Sequence, residues 1–218
     1  MYRTGRQGRS DLRNSRARYT ARMLPSHVHK FYMRQKITLM VNRYELRAAN
    51  EDGSEGELLA FAQQKRLKFK EEVIFYSDES KTTPLFSFKA RQGLDVRAEH
   101  DVLDCVRNSI GYFKKEFAAS LLRSTWRLSY STKNAVGQER KMWVAVLRRI
   151  WDFIPFLGEI WIPFVFHFDF VDEAGITVLT SERKKSIRDR YTVLVPDEQL
   201  DFRVAASVAV ALDALQSR

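Results

Sequence analysis

The chain has 218 residues, 44% of them hydrophobic and 29% charged, with a net charge of +10. That is enough apolar material for one sizeable core, and a single large domain is expected. One cysteine, Cys105, rules out an internal disulfide framework, and no C-x-x-C or Cys/His cluster points to structural zinc; a reducing compartment fits.

Residues 1–30 hold eight bases against Asp11 alone, which leaves only +3 of the net charge for the remaining chain. Too few apolar side chains occur here to offset the ordering of the backbone, so the segment reads as a disordered basic arm ahead of a domain spanning 31–218. No apolar segment follows these bases as a secretory signal requires, and the expectation is a cytosolic protein. Arginines such as Arg13, Arg16, Arg18 and Arg22 suit two partners. An anionic membrane surface gains on the order of 1 kcal/mol per base, and nucleic acid phosphates would give salt-dependent binding. A solubilising leader with no partner is the plain alternative.

From Phe31 the chain turns into short apolar runs separated by turn residues. FYMRQKITLM and VNRYELRA read as paired strands before the turn cluster Asn50 to Gly56, and ELLAFAQQ and LKFKEEVIFY follow. From the junction of these last two into the second, Lys65, Arg66, Lys68 and Lys70 form either a headgroup-binding cluster or a solvated strand face. LFSFKAR comes next, then the hairpin HDVLDCVRNSIGYF, STWRLSY and the long ERKMWVAVL. In the hairpin, Asp101 to Cys105 is expected as a strand with Cys105 in the core, and Gly111 as a point of close approach; Trp126 is a core anchor.

WDFIPFLGEIWIPF places Trp151, Phe156 and Trp161 in an aromatic stretch broken by prolines. It could dip into a membrane interface, form a dimer contact or fold over the domain. PFVFHFDFV alternates strictly, with phenylalanines at 164, 166, 168 and 170 on one face and His167 and Asp169 on the other. ITVLTSE and RYTVLVP complete about twelve strands.

The last element is different. Asp197 is expected to cap a helix reaching Gln216, with Glu198 in its first turn, and between Arg203 and Asp213 no charge occurs. A helix apolar all round is a buried helix. The charge-free run, Val204 to Leu212, is too short to span a bilayer, and the interrupted apolar region from Ile150 to Phe170 is a poor spanning segment. The fold expected is therefore mainly β: about twelve antiparallel strands closed into a barrel around the C-terminal helix, whose small residues let strands approach.

No catalytic constellation emerges. Cys105 has His100 and Asp101 close by, but strand geometry sends positions 100 and 105 to opposite faces. His167 and Asp169 have no third metal ligand at a recognisable spacing, and they read as a solvent-facing polar pair. Neither G-x-x-x-x-G-K nor G-x-G-x-x-G occurs. A non-enzymatic protein without cofactor or metal is expected.

Several stretches resemble the LURP-one-related family, which is similar to phospholipid scramblases and to the tubby C-terminal domain. They are FYMRQKI, QQKRLKFKEEVIFYSDES, LFSFKAR, HDVLDCVRNSIGYFKKEFAASLLRSTWRL, DRYTVLVP and LDFRVAASVAVALDAL, which together cover most of residues 31–216. The resemblance implies a twelve-stranded barrel around a hydrophobic helix and contact with membrane lipid at the inner face of the membrane. Scramblases carry an acid-rich calcium segment before the last helix; here SIRDRYTVLVP offers only Asp189, so calcium control is not expected. The rival reading is a protein- or nucleic-acid-interaction module with the barrel as scaffold.

Overall fold

The computed structural model describes residues 24–37, 41–65, 72–91, 99–116, 125–140, 167–184 and 190–216. Among the described residues twelve strands and one helix follow in order. The first six strands are β1 (Lys30–Ile37), β2 (Val41–Ala49), β3 (Glu55–Lys65), β4 (Val73–Tyr76), β5 (Pro84–Ala90) and β6 (Glu99–Asp104). The next six are β7 (Ser109–Glu116), β8 (Thr125–Tyr130), β9 (Lys133–Glu139), β10 (His167–Asp172), β11 (Thr177–Lys184) and β12 (Arg190–Leu194), followed by α1 (Phe202–Gln216).

Each strand pairs antiparallel with the next, and β1 closes on β12 from Lys30↔Leu194 to Arg34↔Arg190, completing a barrel. Alternation does the sorting. In β8, Trp126, Leu128 and Tyr130 are buried while Arg127 is exposed; in β10, Phe168 and Phe170 are buried and His167 and Asp169 lie half-buried on the outer face. The expected fold, a mainly β barrel enclosing its C-terminal helix, is the one observed.

Helix α1 is about 22 Å long at 1.5 Å per residue, and every side chain from Val204 to Ala214 is buried. Phe202 enters the core against Phe31, with ring centroids 5.2 Å apart, and Phe86, at 6.3 Å. At Gly111 of β7 the wall lies close to the helix: a Cβ there would stand 2.8 Å from the Ser129 carbonyl and 3.1 Å from Val204 Cγ2. Towards its other end the helix presents Asp213, only 9% exposed. Its carboxylate accepts hydrogen bonds from the Tyr44 hydroxyl at 2.9 Å and from the Tyr191 hydroxyl. Burial, with the neighbouring Asp213 charge, pushes the Tyr44 phenol well above its ordinary value, so it stays a donor.

Four expectations need correction. The helix begins at Phe202, with Asp201 as its cap: the Asp201 carboxylate accepts the Arg203 N–H at 2.8 Å and pairs with the Arg203 guanidinium at 2.7 Å. Asp197 instead shapes a preceding turn, accepting the Gln199 N–H at 3.0 Å and binding Tyr130 at 2.7 Å and Lys133 at 2.8 Å. Glu198 is exposed on that turn, outside the helix.

Second, Cys105 is exposed and outside the strand. The Asp104 carboxylate ends β6 by accepting the N–H groups of Val106 at 3.0 Å and Asn108 at 2.8 Å, and Arg107 takes a left-handed φ of 74°. Third, KNAVGQE, which is not among the strands expected from the sequence, forms β9; of ERKMWVAVL, residues 141–147 lie outside the described residues. Fourth, residues 24–29, assigned to the arm from sequence, lie on the barrel. Leu24 and Val28 pack against the core, Ser26 O accepts the Phe202 N–H at 2.8 Å, and His29 O accepts the Val195 N–H at 2.7 Å.

Candidate functional site

Where the first strand meets the last, the barrel wall carries a basic groove. Tyr32 and Arg34 face outward because Phe31, Met33 and Gln35 take the inner face of β1; Arg190 and Thr192 alternate in the same way with Tyr191 and Val193. Lys184, at the end of β11, pairs opposite Arg190 and brings a third cation to the same wall.

The β2–β3 hairpin supplies the overhang. Its pairing shifts register between Leu46 and Arg47 and between Arg47 and Ala49, irregularities of the kind that bend and twist a strand. Its tip is a tight turn in which Gly53 adopts φ 77°, the Asn50 N–H bonds Ser54 O at 2.9 Å, and the Asp52 carboxylate accepts the Ser54 N–H at 2.8 Å. The Tyr32 hydroxyl donates to Gly53 O at 2.6 Å and ties the tip down over β1. Beneath it lies a cavity of about 440 Å³.

Among the described lining residues Arg34, Lys184 and Arg190 are opposed by a single acid, Glu55. Glu55 Oε2 lies 2.5 Å from Arg34 Nε, and its Oε1 lies 3.8 Å from Arg190 Nη1. The closer contact is a charge contact without hydrogen-bond alignment, since neither Arg34 Nε nor Glu55 Oε2 has an aligned partner. The buried Arg190 Nε–H and the hydroxyl of Thr192, itself 8% exposed, have no hydrogen-bond partner among the described residues. Lys30 and Lys184 place their ammonium groups 5.5 Å and 5.6 Å from the centroid of the Tyr32 ring. Buried donors without partners are costly, and guanidinium forks match the oxygens of a phosphate or carboxylate. The donors of the groove have the chemistry that matches an anion with several oxygens.

None of the residues singled out in the sequence lies in this groove. Arg13, Arg16, Arg18 and Arg22 lie outside the described residues, as do Arg66, Lys68, Lys70, Trp151, Phe156 and Trp161; Lys65 ends β3 with its side chain outside the described set. His100 is buried inside, stacked on Phe113 with centroids 5.2 Å apart, while Cys105 sits in an exposed turn, so the two form no nucleophile and base pair.

His167 and Asp169 share the outer wall. Asp169 is engaged by Arg140, whose Nε and Nη2 each donate at 2.7 Å, and by Thr180 at 3.1 Å. Hydrogen bonding from Arg140 holds the Asp169 carboxyl below the usual carboxylate range, against the effect of burial. Among the described residues no three His, Cys, Asp or Glu side chains gather to hold a metal ion, and no helix is long and apolar enough to cross a membrane.

The groove residues left little trace in the sequence because they belong to three separate strands and a turn. The available signal is the outward set Lys30, Tyr32, Arg34 combined with Arg190 and Thr192, and it becomes a site only once β1 closes on β12. Compared with known proteins, the chain matches no family model, and a search of curated proteins finds no match.

Proposed function

We propose that the protein is a non-enzymatic, LURP-one-related type of barrel that binds the phosphate-bearing headgroup of an anionic membrane lipid from the cytosolic side. The observation that carries this reading is the groove under the β2–β3 turn. There Arg34, Lys184 and Arg190 converge, and the Arg190 Nε–H and Thr192 hydroxyl have no partner among the described residues. A phosphate would supply the missing acceptors.

Contact from the surface, rather than insertion, fits the wall. Its outer face carries ion pairs such as Arg91–Asp101 at 2.7 Å and Arg140–Asp169 at 2.7 Å, whereas a membrane-spanning barrel turns an apolar band outward. In this reading Arg13, Arg16, Arg18 and Arg22 add nonspecific attraction to an anionic leaflet, and the groove selects the headgroup.

Vesicle cosedimentation tests the proposal, using phosphatidylcholine with and without phosphatidic acid, with duplex DNA as competitor. The full chain should sediment only with the anionic vesicles, and an Arg34→Gln, Arg190→Gln variant should bind them about tenfold more weakly, on the order of 1.4 kcal/mol. Unchanged binding in that variant, together with loss on replacing the four arm arginines by Gln, would remove the groove from the function. Retention by DNA alone would favour the nucleic-acid reading.

A further inference from the structure

The groove already holds an anion of its own. Glu55 opens β3, immediately after the tight turn that overhangs the cavity, and its carboxylate lies between two guanidiniums that point in from other strands. With a side chain only 18% exposed, Glu55 is a partly buried counter-ion rather than a solvated surface acid.

It is held by single-point charge contacts. Arg34 meets it through Nε alone, at 2.5 Å but without hydrogen-bond alignment, and Arg190 lies 3.8 Å away, so neither makes the bidentate fork-to-carboxylate geometry of the strongest pairs. Contrast Asp169 on β10, two strands along the wall from β12, which takes two 2.7 Å hydrogen bonds from Arg140. The firm anchor of the turn is elsewhere, in the 2.6 Å bond from the Tyr32 hydroxyl to Gly53 O.

We infer that Glu55 is an autoinhibitory gate: its carboxylate stands where an anionic oxygen of the ligand binds between Arg34 and Arg190, and a phosphomonoester group must displace it to enter. This rests on the headgroup reading of the groove. The chemistry that fits is a phosphate with free terminal oxygens, because displacement requires one oxygen to replace Glu55 between the guanidiniums while others reach Lys184 and the Thr192 hydroxyl. Since Glu55 follows the turn directly, its departure is coupled to the overhang, and ligand entry works against the tether from Tyr32 to Gly53.

Two substitutions separate contact from charge. Glu55→Gln removes the competing charge; Glu55→Asp keeps the charge but, one methylene shorter, withdraws it from both guanidiniums. Binding of the full-length protein and both variants is measured by calorimetry with glycerol phosphate, and by cosedimentation with phosphatidylcholine vesicles containing phosphatidic acid; the soluble and vesicle arms distinguish a free phosphomonoester from a lipid headgroup. Both variants are expected to bind about tenfold more tightly than the parent, with the Arg34→Gln, Arg190→Gln pair abolishing the gain.

If Glu55→Gln tightens binding while Glu55→Asp matches the parent, net charge alone is at work and the gate is overturned. If the parent binds and both variants bind equally or more weakly, Glu55 orients the arginines and the gate is again overturned, leaving the headgroup reading intact. Absence of binding by all three in both arms overturns the headgroup reading and the gate with it.

Discussion

Gly137 on β9 lies directly opposite Phe170 on β10, and the ring of Phe170 covers the place where a side chain would be. A Cβ built at Gly137 would stand 2.4, 2.5 and 2.7 Å from Phe170 Cε1, Cζ and Cδ1. Carbon atoms pack at about 3.5–4.0 Å, so Gly137→Ala requires the ring to retreat by roughly 1 Å, and Phe170 is fully buried. Overpacking of this kind costs about 1–3 kcal/mol. The alanine narrows the unfolded ensemble and returns about 0.4–1 kcal/mol. The net expectation is a loss of about 1–2 kcal/mol, or roughly 3–7 °C in Tm for a domain of this size. Urea and thermal unfolding followed by circular dichroism measure it. The decisive control is Phe170→Leu: on that background Gly137→Ala should be neutral or stabilising, giving a coupling of about 1 kcal/mol or more. An alanine variant as stable as the parent, or penalties that simply add, would refute the steric argument.

Tyr191→Phe removes one of the two hydroxyls donating to buried Asp213 and should cost about 1–3 kcal/mol in urea unfolding; an unchanged midpoint would contradict the latch between helix and wall. Because Arg140 depresses the Asp169 pKa, the stabilisation from that carboxylate is present above its unfolded pKa and is lost as pH falls below about 4. Arg140→Met should therefore be less stable at neutral pH and lose less Tm than the parent between neutral pH and about pH 3; parallel pH profiles would dismiss the pair. Cys105, exposed in its turn, should react with a thiol reagent in native buffer as fast as in denaturant, and protection lifted only by unfolding would return it to the core.

The barrel and its enclosed helix were legible because both rest on period. Alternation such as Phe168, Asp169, Phe170 marks a wall with one dry face, and an element with no charge from Val204 to Leu212 has nowhere to go but inside. The ninth strand escaped for a reason the fold makes plain. KNAVGQE shows almost no apolar alternation, because Gly137 contributes no side chain and Phe170 from the neighbouring strand fills its place. Cys105 was misplaced because its turn has no Gly or Pro; the break comes from the Asp104 carboxylate capping two N–H groups. Asp197 and Asp201 are equivalent as local cap signals, and only the buried path of Leu200 and Phe202 decides between them. The groove was beyond reading, since it depends on the closure of β1 on β12 and on a hairpin tip that Tyr32 ties down beside Glu55.

Enclosure of the helix has a consequence for how the protein is made. Helix α1 follows all twelve strands in the chain, so every inward-facing phenylalanine emerges from the ribosome before the element it will cover. The Lys30–Arg34 edge must wait for its partner on β12 while about 150 further residues are synthesised, an interval of about 8–30 s at ordinary translation rates. Throughout that time the nascent sheet has an open seam and a greasy concave side, the pairing-prone condition that chaperones guard against. Closure therefore waits until β12 and α1 have both emerged, and conditions that slow elongation lengthen the exposure of a half-built cylinder.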